Sequence, residues 1–231
     1  NFFKIRYDGR RIWGQDPIVF EGNGKRSDLE DGISDTQGGL IFTWEYEEYE
    51  DIEDSVRYYG VKAARINAEG ELTWQRIVYE REREFREAFG RIDPVLNYAG
   101  SGRFFIAWAD YDHAFQVAAL NLDGEFLWDE PTDMILNPAG YGLLDGINSY
   151  NSVCYIWEDV ENPRESNEYG VTQAFGQRIN ANGERLWEDR GNSIQSRNIG
   201  NMSNVSNGNG GVITTITFNA SVQMINMNGE L

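Results

Sequence analysis

The chain has 231 residues, with 38 acidic against 20 basic side chains and a formal net charge of −18. A surface this acidic repels phosphate backbones and anionic lipids, so neither nucleic acid nor a membrane surface is a favoured partner. The one cysteine, Cys154, excludes an intramolecular disulfide framework. No apolar run is long enough to form a membrane-spanning helix, so membrane insertion is not expected.

A glycine followed four positions later by a tryptophan recurs along the chain. The copies are Gly9 and Trp13, Gly70 and Trp74, Gly124 and Trp128, and Gly183 and Trp187, and a further copy begins at Gly229. Successive tryptophans are 61, 54 and 59 residues apart. Short polar turns precede these glycines, and their Asn, Asp and Gly residues supply the positive φ angles that a hairpin turn needs. The pattern predicts a tandem repeat of β-strands.

Each repeat contains two recognisable strands, one before and one after a variable hairpin. Nearly continuous apolar runs predict the first of them, strand B, at residues 40–44, 104–108, 153–157 and 212–216. A second strand, C, precedes the polar turns at 61–66, 115–120, 171–179 and 222–225, with an extra copy near 3–7. The alternating charges of residues 80–87 are compatible with a short helix or with an exposed outer strand.

These elements predict an all-β fold, a β-propeller of four-stranded antiparallel blades with about four and a half repeats in this chain. Each blade would run through strand A, a glycine turn, strand B, a hairpin, strand C, an Asn–Gly turn, and strand D ending in tryptophan. We predict one propeller or propeller segment over residues 1–231, with units near 1–13 (partial), 14–74, 75–128, 129–187 and 188–231. The tryptophans are expected to be buried wedges between blades, and Cys154 an inert buried thiol. A two-domain β-sandwich is the alternative fold, which the fixed repeat disfavours.

A resemblance to a known family is carried by Asp35-x-x-Gly38-Gly39, an apolar strand to Trp44, and residues 59–60 and 65–74. This order resembles the repeat of large secreted bacterial β-propeller proteins. The resemblance implies an extracellular, cell-surface or periplasmic location and further repeats or domains of the same parent protein. The glycine–tryptophan ending is also similar, more weakly, to the tryptophan-docking repeat of quinoprotein-like propellers. The threonine of that second pattern is missing, so no quinone cofactor is expected.

The B–C hairpins offer the candidate binding surface. From the strand B tryptophan to the turn glycine the separations are 26, 16 and 26 residues in the first three units, so the first and third hairpins carry insertions. Insertions on one face of a repeat protein often mark its binding face. The candidate binding residues on this rim are Glu45, Tyr46, Glu47, Tyr49, Asp51, Asp110, Tyr111, Asp112, His113, Glu158 and Asp159.

We predict that this rim binds a protein or glycan partner, or calcium as a divalent cation, with the tyrosines supplying flat contact surface. The alternative is that the acidic loops only keep the protein soluble. Apart from calcium, no cofactor is expected, and no Cys-cluster or multi-histidine metal site can be built from one cysteine and one histidine.

No catalytic residue is assigned from the sequence. The one histidine, His113, is interpreted as a solvated loop residue, and no phosphate-binding loop, dinucleotide fingerprint or nucleophile elbow is present. The leading functional prediction is therefore a non-catalytic extracellular or cell-surface binding module. Two alternatives stay open, because propellers host many functions. One is a structural spacer module of a larger secreted protein, and the other is a glycoside hydrolase or polysaccharide lyase that uses paired carboxylates.

Overall fold

The structure is a computed structural model that describes residues 2, 4–5, 8, 10–14, 16–18, 26–49, 56–84, 92–110, 113–134, 144–149, 152–161, 171–189, 191–196, 202–216 and 221–231. Over these residues all regular secondary structure is β-strand, which confirms the all-β class. None of the described residues belongs to a helix that could cross a membrane. The chain divides into two compact units, residues 1–88 and 89–231.

The first unit contains one antiparallel sheet in chain order, formed by β1 (Arg26–Ser34), β2 (Leu40–Tyr49), β3 (Val56–Ile66) and β4 (Leu72–Glu84). The charged segment from residue 80 to 84 continues β4, so the outer-strand alternative is confirmed there. Phe42, Trp44 and Ile66 form the core of this sheet, and Phe2, Trp13 and Ile18 from the N-terminal segment pack against it. That segment is itself a hairpin, held by the bridges Phe2–Ile18 and Ile5–Arg11.

The second unit contains three antiparallel sheets, each again in chain order. The first has β5 (Val95–Gly100), β6 (Arg103–Asp110), β7 (His113–Asn121) and β8 (Thr132–Asp133). The second has β9 (Leu144–Ser149), β10 (Ser152–Glu161), β11 (Val171–Asn180) and β12 (Asn192–Ser196). Among the described residues the third has β13 (Met202–Ser206), β14 (Val212–Ile216) and β15 (Ser221–Ile225). Within this unit β5 contacts β9 and β9 contacts β13, so the sheets stack with their first strands side by side.

Alternate side chains of the second strand in a sheet point to opposite faces, and they fill the two spaces between the three sheets. Phe105 and Ala107 of β6 pack against Val153, Tyr155 and Trp157 of β10. The opposite face of β10 carries Cys154 and Ile156, which pack against Val212 and Ile225 of the last sheet. A strand covered on both faces has no polar side, which explains why the sequence reads as a continuous apolar run. The prediction of a buried Cys154 thiol is confirmed.

The polar turn between the third strand and the tryptophan that follows the turn glycine is built in the same way in four repeats. In the third repeat, the Oδ1 atom of Asn180 accepts hydrogen bonds from the backbone amides of Asn182 (2.9 Å) and Glu184 (3.0 Å). Its Nδ2 group donates to the carboxylate of Glu184. The equivalent asparagines are Asn67, Asn121 and Asn226. The turn glycines Gly70, Gly124, Gly183 and Gly229 all have positive φ, as predicted.

Three tryptophans dock on the turn of the repeat that follows them. Trp13 Nε1 donates to Ala68 O at 2.8 Å, Trp128 Nε1 to Ala181 O at 3.1 Å, and Trp187 Nε1 to Met227 O at 3.2 Å. The rings lie against the turn glycines, where any Cβ would come within about 3 Å of the indole. The turn asparagine and glycine therefore form the seat for the preceding tryptophan.

Two expectations about the tryptophans need correction. Trp44, Trp108, Trp157 and Trp187 are buried as predicted, but Trp74 and Trp128 are only half-buried. The tryptophan also does not end the fourth strand, because Trp74 lies near the start of β4, and Trp128 and Trp187 precede β8 and β12.

The Asp-x-x-Gly-Gly motif is a structural turn between the first two strands. Asp35 is fully buried, and its Oδ1 atom accepts hydrogen bonds from the amides of Gln37 (2.8 Å) and Gly39 (2.7 Å). Its Oδ2 atom pairs with Arg65 at 2.8 Å. Burial raises the pKa of Asp35, but the Arg65 guanidinium and the two amides outweigh that effect and hold the pKa below its usual value. In the last sheet Asn207 caps the same turn without a charge.

Candidate functional site

The first sheet extends further than the repeat requires, and the extension is rich in carboxylates. β2 and β3 stay paired beyond Trp44, from Glu45 opposite Val61 to Tyr49 opposite Arg57. Residues 45–49 were expected in a hairpin loop and are instead strand. We call the group formed by Tyr46, Glu48, Lys62 and Glu80, which share one face of this extension, the acidic sheet end.

Tyr46 reaches across one strand to bind a carboxylate on the next. Its cross-strand neighbour on β3 is Gly60, and the neighbour of Gly60 on β4 is Glu80. A Cβ at Gly60 would lie 1.9 Å from the carbonyl oxygen of Tyr79, so no larger residue fits without moving the β4 backbone. The missing side chain leaves a gap through which the Tyr46 hydroxyl donates a hydrogen bond to Glu80. This contact accounts for the glycine of the Tyr59-Gly60 pair in the first repeat.

Lys62 lies beneath this pair and is almost fully buried. Its ammonium group is 3.8 Å from the centroid of the Tyr46 ring and forms an ion pair with Glu48. Burying an ammonium group is unfavourable unless it is paired. The Glu48 carboxylate and the ring face together offset that penalty, and the Tyr46 ring is thereby fixed from below while its hydroxyl is fixed by Glu80.

The electrostatics of the cluster keep Tyr46 protonated. Burial raises the pKa of the Tyr46 hydroxyl well above its usual value, and the hydrogen bond to Glu80 and the negative charges of Glu80 and Glu48 raise it further. Tyr46 is therefore a hydrogen-bond donor and not a nucleophile. Glu48 keeps a side chain that is 35% exposed, and Glu80 is exposed, so both carboxylates can meet a ligand.

The remaining predicted rim residues are not brought to this cluster by the described part of the structure. Glu45 and Glu47 are buried on the opposite face of β2, because alternate residues of a strand point to opposite sides. Asp51, Tyr111 and Asp112 lie outside the described residues, as do the side chains of Tyr49, Asp110, His113, Glu158 and Asp159. Their role in binding stays a prediction.

Two members of the acidic sheet end, Lys62 and Glu80, were missed in the sequence, whereas Glu48 belongs to the acidic hairpin that was predicted to bind. For Glu80 a signal existed, since the alternating charges from residue 80 onward place every second residue, and so the glutamates, on one face of a strand. Lys62 gave no such signal, because its burial follows from its register opposite Trp44. Among the described residues no group of three or more His, Cys, Asp or Glu side chains could hold a metal ion. Calcium binding by the acidic hairpins therefore stays a prediction.

No protein-family model matches the chain, and no curated protein sequence is similar enough to count as a relative. Several solved structures do resemble it. The GH43 endo-arabinanase from Bacillus licheniformis matches with a TM-score of 0.40 and 10% identity, over 88% of this chain and 74% of that one. The α-L-arabinanase of Cellvibrio cellulosa complexed with arabinohexaose matches with a TM-score of 0.42 and 11% identity, over 86% of this chain and 71% of that one. A glycosyl hydrolase from Bacteroides ovatus matches with a TM-score of 0.35 and 10% identity, over 87% and 64% of the two chains.

These comparisons correct the leading functional prediction. The similar structures are named as two arabinanases and a glycosyl hydrolase, not as non-catalytic binding modules. The resemblance to secreted bacterial β-propeller proteins is matched by no family model and stays a prediction. The activity itself has to be argued from the residues of this chain.

Proposed function

We propose that the chain is a glycoside hydrolase built on a β-propeller scaffold. The observation that carries the proposal is the pair of carboxylates, Glu48 and Glu80, held on one face of the first sheet by Lys62 and Tyr46. Hydrolysis of a glycosidic bond needs two carboxyl groups, one to protonate the leaving oxygen and one to act as base or nucleophile. Both groups are accessible, and both are fixed by partners that are themselves buried.

The propeller part of the proposal is supported by the way the repeats are joined. In the second unit the first strands lie side by side and the sheets stack face to face, as blades do around an axis. The tryptophan of one repeat docks on the turn of the next in both units. A two-domain sandwich offers no reason for such a periodic link.

Roles can be assigned to the two carboxylates from their partners. Glu48 is paired with the Lys62 ammonium and is assigned as the base that activates water or as the nucleophile. Glu80 is assigned as the acid that protonates the leaving oxygen, and the hydrogen bond from Tyr46 is the one that its carboxylate accepts after the proton has left. Tyr46 is a positioning residue, since its hydrogen bond orients Glu80.

The charge of the chain narrows the substrate class. With a net charge of −18, the protein repels polyuronates, which are the usual substrates of polysaccharide lyases, and does not repel neutral glycans. A neutral polysaccharide is therefore the preferred substrate over an anionic one. Hydrolysis is for the same reason preferred over the elimination that lyases catalyse. We place the protein in an extracellular, cell-surface or periplasmic setting, where polymeric glycans are met.

The test is release of reducing sugar from a panel of neutral polysaccharides that includes linear arabinan, with polygalacturonate as the anionic comparison. Glu48→Gln and Glu80→Gln should each lower kcat by about 10²–10⁴-fold, the range for losing a general acid or base. Glu69→Gln, an exposed turn residue on the same sheet, is the matched control and should keep wild-type activity. No release from any glycan, or full activity of both variants, would refute the assignment.

A further inference from the structure

A tyrosine that the proposed mechanism does not use lies beside the acidic sheet end. Tyr58 of β3 is the direct cross-strand neighbour of Glu48 on β2 and of Glu82 on β4. Alternate residues of a strand share a face, so Tyr58 lies on the same face as Gly60 and thus on the face of the acidic sheet end. Tyr58 is half-buried and Glu82 is exposed. A tyrosine therefore stands in one row between two glutamates, on a surface that a ligand can reach.

This row is adjacent to the one that holds the proposed acid. One step along the same face, Tyr46, Gly60 and Glu80 form the neighbouring row. Glu80 is the diagonal neighbour of Tyr58, a relation that places two residues about 7–8 Å apart and within reach of long side chains. Gly60 has no side chain, so no β3 side chain stands between Tyr58 and the hydroxyl of Tyr46. A ligand that lies on Tyr58 therefore has Glu48 beside it and Glu80 next along the face.

The repeat itself does not require an aromatic residue at position 58. The Tyr59-Gly60 pair that follows it recurs as Tyr169-Gly170, but the preceding residue in that repeat is Glu168. The core of this face is built around Phe42, Trp44 and Ile66, further along the sheet. Tyr58, like the acidic sheet end, is therefore a feature of the first sheet and not of the stacking pattern.

A tyrosine between two carboxylates has the chemistry that recognises a neutral sugar unit. A sugar ring presents C–H groups on its faces and hydroxyl groups around its edge. An aromatic side chain offers a flat apolar surface to the C–H groups, and ionised carboxylates accept hydrogen bonds from the hydroxyl groups. Ligand sites commonly combine aromatic surface with a few polar groups that fix orientation. A uronate or a sulfated sugar would be repelled by Glu48 and Glu82.

We propose that Tyr58 stacks on the sugar unit next to the bond that is cleaved, and that Glu82 accepts hydrogen bonds from the hydroxyl groups of that unit. The inference rests on the proposed hydrolase function and adds to it two residues that determine which substrate binds. Tyr58 and Glu82 act in binding and take no part in the chemical step. The sugar unit lies across β3, between the strand that carries Glu48 and the strand that carries Glu80.

Steady-state kinetics on the neutral glycan that the wild-type chain hydrolyses fastest test these roles. Tyr58→Ala should raise KM about five- to tenfold and lower kcat by less, because binding surface is lost and both reacting carboxylates remain. Tyr58→Phe retains the ring and should recover KM to within about twofold of wild type. Glu82→Ala should raise KM by at least about threefold, since an acceptor for the sugar hydroxyl groups is lost.

Tyr59→Ala is the matched control for the loss of a tyrosine. Tyr59 is the next residue of β3 and is also half-buried, but it points to the opposite face. Its removal should leave KM at the wild-type value. The Tm of every variant is measured, and Tyr58→Leu, which keeps an apolar side chain but no flat ring, replaces Tyr58→Ala if the alanine variant is unfolded. An equal rise of KM for Tyr58→Ala and Tyr59→Ala would overturn the inference.

Binding without hydrolysis separates this inference from the proposed function. Affinity electrophoresis in gels that contain neutral glycans should retard the Glu80→Gln chain, and adding Tyr58→Ala or Tyr58→Leu to it should abolish most of the retardation. A chain that hydrolyses a glycan but keeps its KM and its retardation without the Tyr58 ring would overturn the inference and leave the hydrolase in place. Retardation that depends on Tyr58 in a chain that hydrolyses nothing would support the inference and refute the hydrolase. Neither binding nor hydrolysis of any glycan would overturn both.

Discussion

Removal of the docking indole at Trp187 should be among the most damaging single changes in the second unit. Trp187 is 8% exposed, belongs to the cluster around Ile156 and Val212, and lies against Gly229 of the next turn. Truncation of a buried tryptophan to alanine costs about 3–5 kcal/mol, because apolar area is lost and a cavity remains. Trp187→Ala should therefore lower the free energy of unfolding by about that amount.

A phenylalanine at position 187 distinguishes the contribution of the apolar ring from that of the indole hydrogen bond. Trp187→Phe keeps most of the apolar contact and removes the donor to Met227 O. That carbonyl also accepts a hydrogen bond from Arg178 at 3.0 Å, so it is not left unsatisfied. The loss should then be nearer the net value of one hydrogen bond and a smaller ring, about 1–2 kcal/mol.

Urea unfolding followed by far-UV circular dichroism measures both changes without relying on the fluorescence of the altered residue. Trp13→Ala provides the comparison, since Trp13 makes the same kind of hydrogen bond but is only half-buried and should cost less. A loss below about 1 kcal/mol for Trp187→Ala, or one smaller than that of Trp13→Ala, would show that the indole does not join the repeats.

Three further changes test other parts of the molecule. Asn180→Ala removes two accepted amides and one donated bond at an exposed turn and should cost about 1–2 kcal/mol in urea unfolding, whereas Asn182→Ala should stay within about 0.5 kcal/mol of wild type. Asp35→Asn keeps the turn, as Asn207 does in the last sheet, but loses the ion pair to Arg65. The pKa of Asp35 is lower in the folded state than its unfolded value of 3.8. The difference in unfolding free energy between wild type and variant should therefore be at its full size above pH 3.8 and shrink as the pH falls through the lower folded pKa. Millimolar calcium should raise the Tm of the wild-type chain but not that of a variant with Glu50→Gln, Asp51→Asn, Glu53→Gln and Asp54→Asn. An equal rise in both chains would show that this hairpin does not bind calcium.

The turns and the central strands could be predicted because their causes are local. An Asn three residues before a Gly fixes a positive-φ turn through bonds that close within five residues, so Asn180 and Gly183 mark it wherever they occur. A glutamate follows four of the five turn glycines in the sequence, all except Gly9, but its hydrogen bond to the asparagine was not inferred. A strand covered on both faces likewise needs only its own apolar run, as in residues 153–157.

Strand ends and the candidate site were harder to predict because they depend on register. Residues 45–49 are polar and were read as hairpin, but pairing with β3 continues through them and buries Glu45, Tyr46 and Glu47. Lys62 is buried only because β3 places it opposite Trp44 and beside the Tyr46 ring. No property of Lys62 alone distinguishes it from an exposed lysine.

The division between recurring and non-recurring residues indicates where chemistry can reside in such a chain. The recurring asparagines, glycines and glutamates form hydrogen bonds within their own turn, and the docking tryptophans bind the turn of the next repeat. These residues therefore recur because they hold the repeats together. The acidic sheet end does not recur: the positions equivalent to Tyr46 are Asp110 and Asp159, and those opposite the strand B tryptophan, where Lys62 stands, hold Gln116 and Phe175. One repeat alone contains this Tyr–Lys–Glu arrangement, which buries an ammonium group unfavourably. The other repeats stack without it, so it is not needed for stacking. That contrast is the physical reason to look for the reacting groups in the first sheet.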